Sequence, residues 1–422
     1  MPRSTKKTAK KPPMRKAHAA NAPTTTAGAP GRQFAQPNPS ADPTVFTVDH
    51  PNDNPLYNLV NNTLLQPIPT PRTPNPSMAI ADILGSTTVQ AIQKAGQIVF
   101  HSTGDSGSVN GPATQSLVAD KMVADFADEQ PADRPAFLFH LGDVVYSFGE
   151  AKYYYDQFYE PYRSYPGPIL SAAGNHDGQV YSTDSASSLD AFLRNFVNVQ
   201  PIKTPESGGL VRTAMTQPGV YFTFDVPFVT IIVLYSNVLE DPGVISSEGN
   251  KSSPVDDQQL FFLQAALTQA KAAKKPVILV THHPPYTAGS VHGGSPQMLA
   301  DIDAVCKKAG VWPHAHLSGH AHNYQRFTRT INKYEIPYLV CGNGGHGLSP
   351  LQAKGKSIRV PYQVSKQVTF ENYNDQNYGY LRVVGNAQQI RIEFHVASSG
   401  PATKAPADVV TVEIASHKMV AS

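Results

Sequence analysis

Short apolar runs, each ending in a polar or glycine-rich turn, alternate along most of this chain with segments of helical period. Residues 97–101, 137–146, 168–172, 220–224, 228–235 and 276–281 have the length of strands. The run 228–235 is apolar at nearly every position, as in a strand covered on both faces. Between them the spacing predicts a short helix over 79–94 and a second helix carrying Leu117, Val118, Met122, Val123 and Phe126. A third presents Leu260, Leu263, Ala266, Leu267 and Ala270 as one stripe, with Asp256 or Asp257 as its cap. A fourth opens at Ser295-Pro296, with proline in the first helical position, and runs to about Lys308. The tyrosine-rich run 152–162 is predicted to be a helix over the strand ends, its aromatics in the core or at the rim. Residues 178–218 are predicted to be irregular and 239–255 to form a polar loop. The C-terminal part is strand-like at 338–341, at 378–384 with a turn at Gly385-Asn386 into 390–394, and at 409–414. Strands alternating with helices place the chain in the α/β class.

Composition changes this picture at the N-terminus. Residues 1–77 hold fifteen of the 37 prolines, and residues 1–41 hold eight Lys or Arg and no acid. Such a segment cannot bury enough surface to offset its ordering entropy. Residues 1–40 are therefore expected to be disordered and 41–77 to be an extended strap, with a folded domain over 78–422. The remainder carries 26 bases against 32 acids, a balance that suits cations and argues against a nucleic-acid face on the folded part. The basic tail could touch nucleic acid or anionic lipid, but a solvated tail is the better reading. No apolar run reaches the roughly 18 residues of a membrane span. No apolar stretch follows the basic N-terminus, so a cytoplasmic location is favoured over atypical export. Cys306 and Cys341 give no framework, and whether they pair stays open.

The polar residues at the strand ends are not a random set. Asp105, Asp143, Asn175, His176, His282, His320 and His322 each follow an apolar run, and strand–helix alternation brings such ends to one edge of a sheet. Two carboxylates, an amide and three or four imidazoles suit two hard-to-borderline cations, and one carboxylate, Asp143, can span both. Other histidines have structural readings. His140 sits inside a strand as a core or supporting residue, and His101 and His314 are structural. His283 points away from its neighbour His282, the hydrophobic run favouring His282 at the site with an exchange of the two as the alternative, and His316 faces away from His320. Gly342-Asn343-Gly344-Gly345-His346 reads as a tight glycine turn, with a substrate-side loop as the other possibility.

The blocks Gly104-Asp105-Ser106-Gly107, Gly142-Asp143, Gly174-Asn175-His176-Asp177, His282 after a hydrophobic strand, and Gly319-His320-Ala321-His322 occur in this order. The series resembles the calcineurin-like metallophosphoesterase superfamily. In detail it is most similar to purple acid phosphatases: Gly107 stands where most relatives have a ligating His, and Tyr146 lies three residues after Asp143. The resemblance implies a four-layer α/β/β/α sandwich, two mixed sheets face to face with helices outside. It implies one metal held by Asp105, Asp143, Tyr146 and His322, and a second by Asp143, Asn175, His282 and His320. It also implies Fe(III) at the Tyr146 position, with Fe(II), Zn or Mn at the other. His176 and the more loosely matched His292 would be catalytic, protonating the leaving group. The expected activity is hydrolysis of small-molecule phosphate monoesters by a metal-bound hydroxide with an acidic optimum. The alternatives are a phosphodiesterase acting on nucleotides or phospholipid headgroups and, more distantly, a non-catalytic metal-binding or interaction protein. Asp177, where the family often has Glu, and the residue after Asp105 depart from the usual pattern without removing a ligand.

Overall fold

The computed structural model describes residues 67–420 apart from 128–129, 181–186, 240–242, 247–255, 290, 353–355 and 401–404. The expected disordered tail and most of the expected strap fall outside these residues. The part described, from residue 67 on, runs along the 197–218 segment. Arg72 donates through its amide to Pro218 O at 3.0 Å and through Nη2 to Val197 O at 3.0 Å. The first strand, β1 (Ser77–Ala79), straddles the boundary expected at residue 77.

Two mixed sheets form the centre of the described residues. The seven-stranded sheet contains β2 (Gln97–Thr103), β3 (Leu138–His140) and β4 (Ile169–Ser171) in parallel. Beyond β2 it continues antiparallel through β13 (Tyr378–Asn386), β14 (Gln389–Ala397), β15 (Asp408–Glu413) and β16 (Lys418–Val420). The nine-stranded sheet begins with β1 beside β5 (Phe222–Val226) and the antiparallel β6 (Val229–Val233). It then runs parallel through β7 (Val277–Val280), β8 (Ala315–Ser318) and β10 (Tyr334–Cys341). Antiparallel β9 (Tyr324–Ile331), β12 (Val368–Asn374) and β11 (Tyr362–Gln363) complete it.

Alternation along the strands sorts the core into layers. Phe100, Phe139, Leu170, Phe222, Ile231, Val233, Ile278, Val280, Leu381 and Ile392 share one buried cluster drawn from both sheets. Phe137 and Phe139 meet Phe224 and Phe222 across it, with ring centroids 5.2 and 6.4 Å apart. The intervening positions Leu138, Ile169, Ile232, Val277 and Leu279 turn outward and pack with helix residues. These include Val118 and Met122 of the helix Ala113–Ala124, Phe262 and Leu263 of Gln258–Ala273, and Met298 and Ile302 of Pro296–Ala309. The architecture is the expected α/β/β/α sandwich.

Several local expectations are corrected. The helix expected over 79–94 is two helices, Ala81–Leu84 and Ser86–Ala95, because Gly85 between them has φ 77°. The run 137–146 pairs over only three residues and spends the rest as loop, and the tyrosine-rich run is a 3-10 turn followed by a π-helix, Tyr155–Tyr159. The 178–218 segment contains a helix, Asp190–Phe196. The hairpin turn lies two residues beyond Gly385-Asn386, where Asn386 Oδ1 accepts from Gln388 N and Gln389 N at 2.9 Å. β9 and β12 were not anticipated. β9 carries Arg326 and Arg329 inside the sheet, and these are tolerated because Asp408 and Asp303 pair with them. Ser295 caps its helix as expected, accepting from Met298 N at 3.2 Å, and Asp256 rather than Asp257 accepts from Gln258 N.

Where the ladders end, buried glutamines take over the backbone pairing. Gln157 clamps Tyr146, accepting from its N and donating to its O, both at 2.8 Å. Gln217 does the same for Ser171 and Gln259 for Tyr235. Backbone at the strand ends and in the loops just beyond them is thereby satisfied.

Beside Gln157, Asp156 is 1% exposed, and neither carboxylate oxygen has a hydrogen-bond partner among the described residues. Burial, then Glu160, push it up to about 6 from an ordinary 3.8. A carboxyl whose folded pKa lies above its unfolded value contributes stability at low pH that is lost as pH rises, here between about 4 and 6. Asp156→Asn is expected to stabilise the protein at pH 7 by about 1–3 kcal/mol and to flatten that pH dependence. Thermal melts from pH 4 to 8 check this.

Candidate metal centre

The parallel strands of both sheets deliver their C-terminal ends to one place. Asp105 follows β2, Asp143 follows β3 and Asn175 follows β4. His282 follows β7, while His320 and His322 follow β8. The seven-stranded sheet thus supplies the acids and the amide, and the nine-stranded sheet the imidazoles. All are buried, from 0% exposure at Asp105 and His282 to 9% at His322.

Two groups of donor atoms form. Tyr146 OH lies 3.2 Å from Asp105 Oδ1, 3.0 Å from Asp143 Oδ2 and 3.2 Å from His322 Nε2. Asn175 Oδ1 lies 3.0 Å from both His282 Nε2 and His320 Nδ1. Asp143 Oδ2 belongs to both groups, since it is also 3.2 Å from His282 Nε2. The ligand-capable atoms of Asp143, His282 and His320 lie within 4.8 Å of one another.

The backbone is bent to make this possible. Asp105, Asp143 and His320 have φ values of 55°, 56° and 68°, the left-handed region, which costs a non-glycine residue about 1–3 kcal/mol and persists only where surroundings impose it. Asp177 imposes it at Asp143: its Oδ2 accepts from Asp143 N and Gly174 N at 2.9 Å, and its Oδ1 from Val144 N at 3.0 Å. Gly174 and Gly319 are glycines because a Cβ at either would overlap a carboxylate oxygen, of Asp143 and of Asp105 respectively. His176 N donates to Asp143 Oδ1 at 2.9 Å, and His320 N to Asp105 Oδ2 at 2.8 Å.

Electrostatics mark the site as one built for cations. His282 Nδ1 donates to Leu141 O at 2.9 Å, so in the neutral ring Nε2 is a lone pair facing two oxygen acceptors. Burial opposes protonation of His282, yet the Asp143 carboxylate pushes it up to about 9. Burial likewise works against ionisation of Asp143, but His282 and His176 hold it well below the usual range. Burial, then the Asp143 and Asp105 charges, raise the Tyr146 phenol. His320 Nε2 is a buried nitrogen with no partner among the described residues. A cation relieves each of these conflicts and reverses the sign at Tyr146; the residues present fit a metal pair.

The remaining histidines sort clearly. His176 Nδ1 donates to Ser147 O at 2.8 Å, and its ring lies 4.3 Å from that of Tyr146. The His292 ring is 4.6 Å from His320 and 4.9 Å from His322. His140 bonds Ser106 Oγ at 2.8 Å, His316 bonds Thr281 Oγ1 at 2.8 Å and His101 bonds Asp125 at 3.0 Å. His314 stacks on His417, ring centroids 4.0 Å apart. His283 reaches Ser236 Oγ at 2.9 Å, although its ring still lies 4.3 Å from His320. The 342–346 segment is not merely a tight turn: it brings His346 flat against Tyr146, with centroids 3.7 Å apart. Sequence reasoning reached His346 only through the substrate-side alternative for its loop, a histidine closing a glycine-rich run after a strand, and missed Gln157 and the anchoring role of Asp177.

Acids and imidazoles gathered where the parallel strands of two facing sheets end define a metallophosphoesterase fold. Residues 110–324, just over half of the chain, match the family model for calcineurin-like phosphoesterases, and the chain belongs to that family. Members of the family typically hold two metal ions. Among solved structures the chain is similar to a purple acid phosphatase from yellow lupin (Lupinus luteus) seeds, with 16% identity, TM-score 0.50 and coverage of 75% of this chain and 54% of that one. The match thus spans about half the length of the lupin enzyme. It is also similar to GAP50, the anchor in the inner membrane complex of Plasmodium, at 17% identity, TM-score 0.47 and coverage of 72% and 86%. A dimetal phosphatase from Danio rerio aligns at 12% identity, TM-score 0.44 and coverage of 75% and 99%. No curated protein matched by sequence. At these identities the likeness is one of fold. No helix among the described residues is long and apolar enough to cross a membrane.

Asp177→Ala would strip four buried amides, those of Asp143, Val144, Val145 and Gly174, of their acceptor. It is expected to destabilise the chain by roughly 2–4 kcal/mol, about 1–3 for each group left unsatisfied less relaxation. Denaturant unfolding measures this.

Proposed function

We propose that this chain hydrolyses small-molecule phosphate esters, monoesters foremost, at a dinuclear metal centre. Asp105, Asp143, Tyr146 and His322 would hold one ion, and Asp143, Asn175, His282 and His320 the other. The observation that carries the reading is the position of Asp143 Oδ2, shared between Tyr146 OH at 3.0 Å and His282 Nε2 at 3.2 Å. Bound there, two cations supply Lewis acidity toward phosphoryl oxygens and bring the pKa of a water down, to about 7 in the case of zinc.

The chain's own residues do the rest. Asp143 and Asp105 are each oriented by a backbone amide, that of His176 and that of His320, so both are pre-organised for charge that develops on the substrate. His282 is fixed in one tautomer by Leu141 O, which aims its Nε2 at the shared carboxylate. Because His176 Nδ1 donates to Ser147 O, its Nε2 is the nitrogen that gains or loses a proton. His176 is therefore the residue we assign to protonating the leaving-group oxygen, with His292 facing the phosphoryl group from the His320 and His322 side. The phenol of Tyr146 favours a trivalent ion such as Fe(III) at its position, with Fe(II), Zn or Mn at the other.

Asp143→Asn is expected to lose bound metal and nearly all turnover of para-nitrophenyl phosphate, whereas His176→Ala keeps its metal and loses about 10²–10⁴-fold in rate. A metal-free enzyme with wild-type activity would overturn the reading, and the bis ester assayed in parallel separates monoesterase from diesterase. For the iron assignment, the purified protein should show a visible phenolate charge-transfer band that Tyr146→Phe abolishes. A colourless, fully active iron protein refutes that assignment alone.

A further inference from the structure

His346 has no part in the roles assigned above, yet it is built firmly into the site. Its amide donates to Asp105 O at 2.9 Å, and its Nδ1 donates to Gly107 O at 2.8 Å. A carbonyl only accepts, so Nδ1 carries the hydrogen and the ring cannot flip without losing this bond. The ring then lies parallel to Tyr146, centroids 3.7 Å apart and planes 14° apart, and meets the His322 ring edge-on at 4.8 Å. The His176 ring packs against Tyr146 at 4.3 Å, so the phenol is held between two imidazoles. The loop carrying His346 is itself fastened. Gly344 N donates to Gly104 O at 3.0 Å, Thr114 Oγ1 donates to Gly345 O at 2.5 Å, and a Cβ on Gly345 would meet Ser106 O at 2.6 Å.

These contacts are one-sided. Through ring or backbone, His346 touches Tyr146, His322 and Asp105, three of the four residues assigned to one ion. Among the described residues its hydrogen bonds and ring contacts include none to Asn175, His282 or His320, which belong to the other ion alone. Its Nδ1 is already committed to Gly107 O.

We infer that His346 is a positioning residue for the Tyr146-side cation. Its stacked ring fixes the plane of the phenol and the edge of the His322 imidazole, and it does not itself bind the metal. A phenol free to tilt would present its oxygen to the ion over a spread of directions, and groups that orient ligands in this way typically govern metal affinity by roughly 10–100-fold. This inference rests on the dinuclear reading above.

The test is calorimetric titration of the metal-stripped full chain with Mn²⁺. The wild type should take two equivalents. His346→Ala should weaken one of them roughly 10–100-fold and leave the other within about threefold. His346→Phe, which restores a flat ring against Tyr146, should recover most of the loss. Melting of the metal-free variants checks that they fold. His346→Ala with both equivalents unchanged, or with both weakened alike, overturns the inference, and so does a Phe variant no tighter than the Ala variant. A wild type that takes up no Mn²⁺ instead overturns the dinuclear reading itself, so the two failures are distinguishable.

Discussion

One carboxylate oxygen, Asp143 Oδ2, lies within hydrogen-bonding distance of both a phenol and an imidazole that approach it from different sheets. Neither sheet alone could assemble this arrangement. The seven-stranded sheet holds the acids and the nine-stranded sheet the histidines, and only their face-to-face packing brings the two into contact. The apolar layer between the sheets, with Phe137 and Phe139 against Phe224 and Phe222, sets the separation at which Asp143 meets His282.

The cost of the arrangement is local and visible. Three residues of the centre sit in left-handed backbone, and His320 Nε2 is buried with no hydrogen-bond partner among the described residues. What opposes this cost is a set of neutral or anionic groups that are not ligand candidates. Asp177 gathers the amides of the Asp143 turn, Gln157 clamps Tyr146 from the π-helix, and Gly174 and Gly319 let carboxylates lie directly on the backbone. The scaffold is thus strained where the expected ligands are and well satisfied immediately around them, the pattern of a site formed before its ions arrive.

Much of this was legible in the chain because each expected ligand ends an apolar run, and alternation of strands and helices forces such ends together. Asp105, Asp143, Asn175, His282, His320 and His322 follow from that rule, and the structure brings all of them together. Tyr146 was reached only through the family pattern, since a tyrosine in an apolar run is more often core. The parts that escaped depend on contacts between distant segments. β3 and β4 were expected but pair over only three residues each, an extent the apolar runs do not reveal, and β9 hides behind its arginines until Asp303 and Asp408 are seen opposite them. The importance of His346 lies in Gly107, 239 positions earlier, whose carbonyl orients the ring. Asp177 read as a minor departure from a motif, and only the three-dimensional arrangement shows four amides converging on it.

The account stands on Asp143 spanning two cations, and anomalous diffraction from crystals loaded with metal tests it most directly. Two anomalous peaks are predicted, about 3.5–4 Å apart, on either side of Asp143 Oδ2, one beside Tyr146 and the other beside Asn175. A single peak, or peaks remote from Asp143, would contradict it.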